Sequence, residues 1–108
     1  MDNIKKYASE HFREPQREYY PVNMWFWDDK ITEDEISFQL DKFLEMGIYQ
    51  IFIHPMWGTT VDYLSDEFFS LIAYMVAEAK RRGQKYWIYD EYNWPSGPAG
   101  GNMITALR

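Results

Sequence analysis

Three short apolar runs separated by two amphipathic stretches, each opened by a side-chain cap and closed by a glycine, constrain the fold of this chain more than any other feature. The first run, Tyr19 to Trp27, closes on Asp28-Asp29 and predicts a strand buried on both faces. Thr32-Glu33-Asp34-Glu35 has capping-box spacing, with Thr32 as N-cap, Glu35 reaching back, and Ile31 placed to staple onto Ile36. In the helix that follows, Ile36, Leu40, Phe43 and Leu44 share one face, Glu33, Gln39 and Asp41 lie opposite, and Gly47 is the stop.

Tyr49 to Pro55 predicts the second strand, whose terminal proline forces a turn and leaves His54 at the C-terminal tip. Ser65-Asp66-Glu67 caps a second helix with Phe68, Ile72, Met75, Val76 and Ala79 on its inner face; Gly83 ends it after the basic run Lys80-Arg81-Arg82. The third strand is Lys85 to Glu91. A loop rich in proline and glycine, Tyr92 to Gly101, then leads to a short apolar segment, Met103 to Leu107, expected to begin a third helix. Residues 1–18 are a charged lead-in, extended or weakly helical, and residues 19–108 form the folded part.

Strand, helix, strand, helix, strand with short connections is the signature of a parallel α/β unit. Right-handed crossovers place the three strand C-termini on one side, where ligands bind in such folds. The residues delivered there are Trp25, Trp27 and Asp28, then His54, Met56 and Trp57, then Asp90, Glu91 and Trp94. Indole rings stack on the apolar faces of sugars, while carboxylates and imidazole hold hydroxyls. Trp27, His54, Asp90, Glu91 and Trp94 are therefore the candidate substrate-binding residues, Trp27 and Trp94 being the favoured rings. Asp90 and Glu91 are neighbours that point to opposite faces of a strand, so unless the strand has already broken one at most enters a pocket while the other caps the loop or pairs with a cation.

The remaining composition narrows the partners. A net charge of −6 supplies no basic field for phosphates, so nucleic acid is not an expected partner. The chain has no cysteine and two histidines, His11 and His54, which provide no metal-ligand spacing, and no cofactor is expected. Pro95 to Gly101 lacks the glycine spacing of a dinucleotide loop and the Lys-Ser/Thr of a nucleotide loop, and Gly-x-Ser-x-Gly is absent around Ser96. The charged N-terminus and the absence of a long apolar stretch predict a cytoplasmic protein without membrane attachment.

Phe52-Ile53-His54, Tyr63-Leu64-Ser65-Asp66-Glu67 and above all Trp87-Ile88-Tyr89-Asp90-Glu91-Tyr92-Asn93-Trp94-Pro95-Ser96-Gly97-Pro98-Ala99-Gly100-Gly101 form a pattern that resembles bacterial glycoside hydrolases related to α-L-rhamnosidases. The resemblance runs from about Tyr20 to Gly101; His54-Pro55-Met56-Trp57 departs from the His-x-Arg continuation of the family. It implies the first part of a TIM-type (β/α)8 barrel acting on terminal sugars, with His54, Asp90, Glu91 and Trp94 on the substrate side. A closed barrel takes roughly 250 residues, so the 108 present are expected to be an incomplete barrel. The family's acid and base carboxylates usually come from later strands, which implies catalytic groups beyond Arg108 and no turnover by this segment. Self-association through open sheet edges is the accompanying expectation. In a longer parent, Glu91→Gln is expected to weaken substrate use and Glu78→Gln, on the outer helix face, to leave it unchanged.

Overall fold

A computed structural model describes residues 1–106, and within them the chain is an α/β protein built on a three-stranded parallel sheet of order β1-β2-β3. β1 spans Asn23–Trp27, β2 Gln50–Pro55 and β3 Lys85–Ile88; helix α2, Glu33–Glu45, follows β1, and α3, Asp66–Arg81, follows β2. Helix α1, Asp2–Arg13, precedes the sheet and α4, Asn102–Ala106, ends the described chain; Leu107, expected in the last helix, lies outside the described residues.

The register pairs Asn23 with Ile51 through Trp27 with Pro55, and Gln50 with Lys85 through Ile53 with Ile88. Each strand therefore ends at the same side of the sheet, and the loops carrying the candidate residues leave from that side. Both crossover helices pack on one face of the sheet. Trp25, Trp27, Ile51 and Ile53 from the strands meet Ile36 and Leu40 of α2 and Phe68, Leu71, Met75 and Ala79 of α3 in one core. Leu71 joins this core although the helical pattern had singled out its neighbour Ile72, which is only partly covered.

The strands differ from their sequence reading in a physically consistent way. β1 begins at Asn23, after a 3₁₀ turn at Arg17–Tyr19, and is buried only at Trp25 and Trp27. Met24 and Phe26 point to the opposite, uncovered face and are 42% and 40% exposed, so the apolar run is not buried on both faces. β3 ends at Ile88 rather than Glu91: the ladder stops at the Ile53–Ile88 pair although β2 runs on through His54 and Pro55, and the chain returns to β2 only where the Asn93 N–H donates to Pro55 O at 3.0 Å.

Local signals set the helix ends. Thr32 Oγ1 accepts the Glu35 N–H at 3.2 Å and Ser65 Oγ the Phe68 N–H at 3.1 Å, each satisfying one of the free first-turn donors. Glu35 does not reach back to Thr32; its carboxylate accepts from Gln39 Nε2 at 2.7 Å. That orients Gln39 inward, where its Oε1 accepts the Trp25 indole N–H at 2.6 Å, so Gln39 belongs to the sheet-facing side of α2 and not to its outer face.

A buried guanidinium joins the two helices. Arg82, 5% exposed at its side chain, binds Asp41 of α2 at 2.7 Å and Glu78 of its own helix. Hydrogen bonds from Arg81 and then Arg82 hold Glu78 down to about 2, and the Arg82 guanidinium likewise keeps Asp41 below its ordinary value. Glu78 is thus tied to two arginines rather than free on an outer face. The lead-in is helical, as one of its two readings expected, and α1 buries none of its residues.

Candidate functional site

The face of the sheet opposite the helices carries an aromatic cluster at the C-terminal strand ends. Phe26 of β1, His54 of β2, and Tyr89 and Trp94 after β3 converge there. His54 lies 4.0 Å from the Tyr89 ring centroid, 5.5 Å from that of Phe26 and 4.9 Å from that of Trp94. Phe26 and Trp94 meet edge to face at 6.3 Å, and Trp94 remains 59% exposed. A half-exposed indole over a packed aromatic floor is a surface on which a ring with apolar C–H faces can stack.

His54 forms the floor and is fully buried. Its Nε2 lies 3.0 Å from the Asn93 carbonyl oxygen, an acceptor, so Nε2 is the donor of that bond, and Nδ1 has no partner among the described residues. The side chain thus braces the cluster from below.

Asn93 is the residue that the sequence reading missed. It adopts φ 57°, a left-handed conformation that Asn tolerates better than most residues. From that position its N–H donates to Pro55 O at 3.0 Å and its Oδ1 accepts the Trp57 N–H at 2.8 Å. Its carbonyl accepts from Tyr89 Oη at 3.3 Å as well as from His54. One residue therefore fixes the loop after β2 against the loop after β3. The only signal in sequence was an Asn immediately before Trp94-Pro95, whose peptide bond is cis.

Asp90 and Glu91 lie beyond the end of β3, and they differ in burial all the same. Asp90 is exposed, and both of its oxygens accept from Ser96 Oγ at 2.9 Å, holding a carboxylate and a hydroxyl together at the rim. Glu91 turns inward and is 1% exposed. Its oxygens accept the backbone N–H groups of Tyr92 at 2.8 Å, Gly97 at 3.0 Å, Ala99 at 2.8 Å, and Gly100. Burial pushes this carboxyl up, but the four N–H donors together outweigh it and hold Glu91 below its ordinary value. With both oxygens committed to the backbone, Glu91 anchors the loop from Tyr92 to Gly100 and does not face the open rim.

Trp27 also lies away from the rim. It is fully buried on the helix side of the sheet, 5.6 Å from Trp25 and 6.2 Å from Phe68 by ring centroids, because odd positions of β1 face α2 and α3. The ring exposed on β1 is its neighbour Phe26. The structure thus brings together His54 and Trp94, leaves Asp90 exposed on Ser96 at the border of the groove between α3 and β3, turns Trp27 and Glu91 inward, and leaves Trp57 75% exposed on its loop.

Two further cavities border the rim loops. A polar cleft of about 430 Å³ lies among Thr59, Asp62, Tyr63, Tyr92 and Asn102, floored by the stacked rings of Tyr63 and Tyr92. Burial first, then the charges of Glu91 and Asp90, raise the Tyr63 phenol above its ordinary value, so Tyr63 is a hydroxyl donor at neutral pH. The second, a mostly apolar groove of about 310 Å³, runs between α3 and β3 on the helix side, with Tyr63 and Asp90 among its lining residues.

Among the described residues, no group of three or more His, Asp or Glu is placed to hold a metal ion, and no helix is long and apolar enough to cross a membrane. No family model matches the chain, and no curated protein or solved structure matches it.

Proposed function

We propose that this chain is the opening β-α-β-α-β portion of a TIM-type barrel glycoside hydrolase and that its strand-end rim holds a terminal sugar for groups supplied elsewhere in the barrel. The observation that carries the reading is the half-exposed Trp94 ring packed edge to face on Phe26 and His54 at the C-terminal ends of parallel strands, in the loop that also holds Ser96 against Asp90. An exposed ring stacks on the apolar face of a pyranose, and a carboxylate accepting from its hydroxyls fixes the orientation. The resemblance of Trp87 to Gly101 to rhamnosidase-related enzymes adds the substrate class.

On this reading His54 and Glu91 are positioning residues. His54 supports the Trp94 ring from below, and Glu91 shapes the loop that presents Trp94 and Ser96. Neither breaks a bond. On this reading the chain by itself binds the sugar, and the carboxylate pair that glycoside hydrolysis requires is completed elsewhere in the barrel.

A protein-observed NMR titration of the 108-residue chain with methyl glycosides, led by methyl α-L-rhamnoside, tests the proposal. The expected result is saturable shifts at the Trp94 indole and the Ser96 amide, with a dissociation constant on the order of 1 mM, as fits one stacked ring and a few hydrogen bonds. Trp94→Ala is expected to weaken that binding about tenfold, and Trp57→Ala to leave it unchanged. Absence of shifts with every sugar, or equal losses from the two variants, overturns the reading.

A further inference from the structure

The polar cleft between the second and third rim loops takes no part in the contact at Trp94. One wall is the loop after β2, with Thr59, Asp62 and Tyr63; the other is the loop after β3, with Tyr92, Gly100 and Asn102. The sheet order β1-β2-β3 places any further strand beyond β3 or beside β1, whereas the cleft lies between the loops of β2 and β3. Its opening is therefore a property of these two loops and not of a free sheet edge.

The walls hold each other in place. Asn93 ties one loop to the other through Pro55 O at 3.0 Å and the Trp57 N–H at 2.8 Å, and the Tyr63 and Tyr92 rings stack at 5.9 Å with 29° between their planes. Phe68 of the core backs Tyr63 edge-on at 5.3 Å. Gly100, at φ 63°, lies so close to Tyr63 that a Cβ there would come within 2.9 Å of its ring, and its N–H is pinned from behind by Glu91. The cleft is thus preformed, and its volume of about 430 Å³ falls within the roughly 300–1,000 Å³ of small-molecule sites.

The lining selects by chemistry. It contains no Lys, Arg or His, and the carboxylates of Asp62 within it and Glu91 behind it give it a negative field that excludes phosphates and other anions. Asp62 is exposed and forms no ion pair among the described residues, which leaves its oxygens as acceptors. The Thr59 hydroxyl, the two phenols and the Asn102 amide each donate as well as accept. That mixture matches a ligand whose own groups do both, as the hydroxyls of a sugar do. An ammonium group only donates, and it would leave the amide and phenol donors without acceptors.

We propose that this cleft is a second saccharide site, which holds one neutral ring of an oligosaccharide through Asp62, Asn102 and the Tyr63–Tyr92 pair, independently of the contact at Trp94. Asp62 accepts from the sugar hydroxyls, Asn102 exchanges hydrogen bonds with them, and the tyrosine rings cover C–H groups.

Protein-observed NMR on the 108-residue chain reads both places at once. The probes are the methyl glycosides of L-rhamnose, D-glucose, D-galactose and D-mannose, with ethylammonium and inorganic phosphate as charged alternatives. At least one glycoside is expected to shift the amides of Asp62, Tyr63 and Asn102 saturably, with a dissociation constant on the order of 1–10 mM, and neither ion to do so. Asp62→Ala is expected to weaken this binding about tenfold and Asn102→Ala about threefold. Both side chains are exposed, so the fold persists, which circular dichroism verifies. Trp94→Ala is expected to leave the cleft response unchanged. Silence at the cleft with every glycoside, tighter binding of either ion, indifference to Asp62→Ala, or loss of the cleft response in Trp94→Ala overturns the proposal. Silence at the Trp94 indole alone strikes the rim reading and leaves the cleft standing.

Discussion

Glu91→Gln is expected to cost the fold about 3 kcal/mol, a large share of what a domain this size possesses, although the change removes no bulk. The carboxylate accepts four backbone N–H groups in a site closed to water. A glutamine offers one oxygen and replaces the other by an amide that is itself a donor, so it confronts two of the four N–H groups with N–H. Those donors are then buried without acceptors, at about 1–3 kcal/mol each before the loop relaxes. Urea denaturation of the two proteins reads the difference; a loss under 0.5 kcal/mol would mean that water replaces the carboxylate without penalty.

The same group sets a pH dependence whose sign follows from its direction of shift. Glu91 is held below its ordinary value of 4.5 in the folded chain and reverts to it on unfolding. The unfolded state therefore binds the proton first as pH falls. The stabilisation is complete well above 4.5 and is lost progressively as pH drops through that value toward the folded pKa. Glu91→Gln should flatten this part of the acid limb, leaving the share due to Glu78 and Asp41, whose pairing arginines also keep them low.

Gly58→Ala should be comparably damaging, at about 3 kcal/mol or more, for a reason unrelated to charge. Gly58 has φ 99°, and a Cβ there would overlap the carbonyl oxygen of Asp28, which is main chain and cannot swing aside. The approach is close because Met56 N–H donates to Trp27 O at 3.0 Å and lays the loop after β2 over the end of β1. Gly47→Ala supplies the comparison: at φ 75° with open space around it, only the conformational penalty of about 1 kcal/mol applies. Thermal unfolding of both variants separates the two contributions, and equal losses would show that the Asp28 contact yields.

The elements were legible in the sequence because each carried a local signal of its own. Thr32 and Ser65 cap helices as their spacing predicts, and the alternation of strands and helices gives a parallel sheet in sequential order. The errors came where a residue's role depends on which neighbour the fold supplies. A run such as Met24-Trp25-Phe26-Trp27 is equally apolar at every position, so composition could not say that only its odd members would be covered by helices. Of the candidate site, the separation of Asp90 from Glu91 was read from strand alternation, yet β3 ends at Ile88 and both residues lie in the loop beyond it. That Glu91 rather than Asp90 would turn inward depended on the donors of Gly97, Ala99 and Gly100, which come together only once the loop has closed. Asn93 was invisible because three of its four partners, Pro55, Trp57 and His54, lie on another strand-loop unit.

Gln50 shows how the sheet bears load. It sits at the first position of the central strand, is 3% exposed, holds three carbonyls of the lead-in with its amide nitrogen and accepts the Trp87 indole N–H at 3.3 Å with its oxygen. Tension applied at Met1 therefore reaches the middle strand before it reaches β1. The edge strand cannot be peeled away one residue at a time; the lead-in must first be torn from Gln50, and the chain gives way by rupture of that clamp rather than by unzipping.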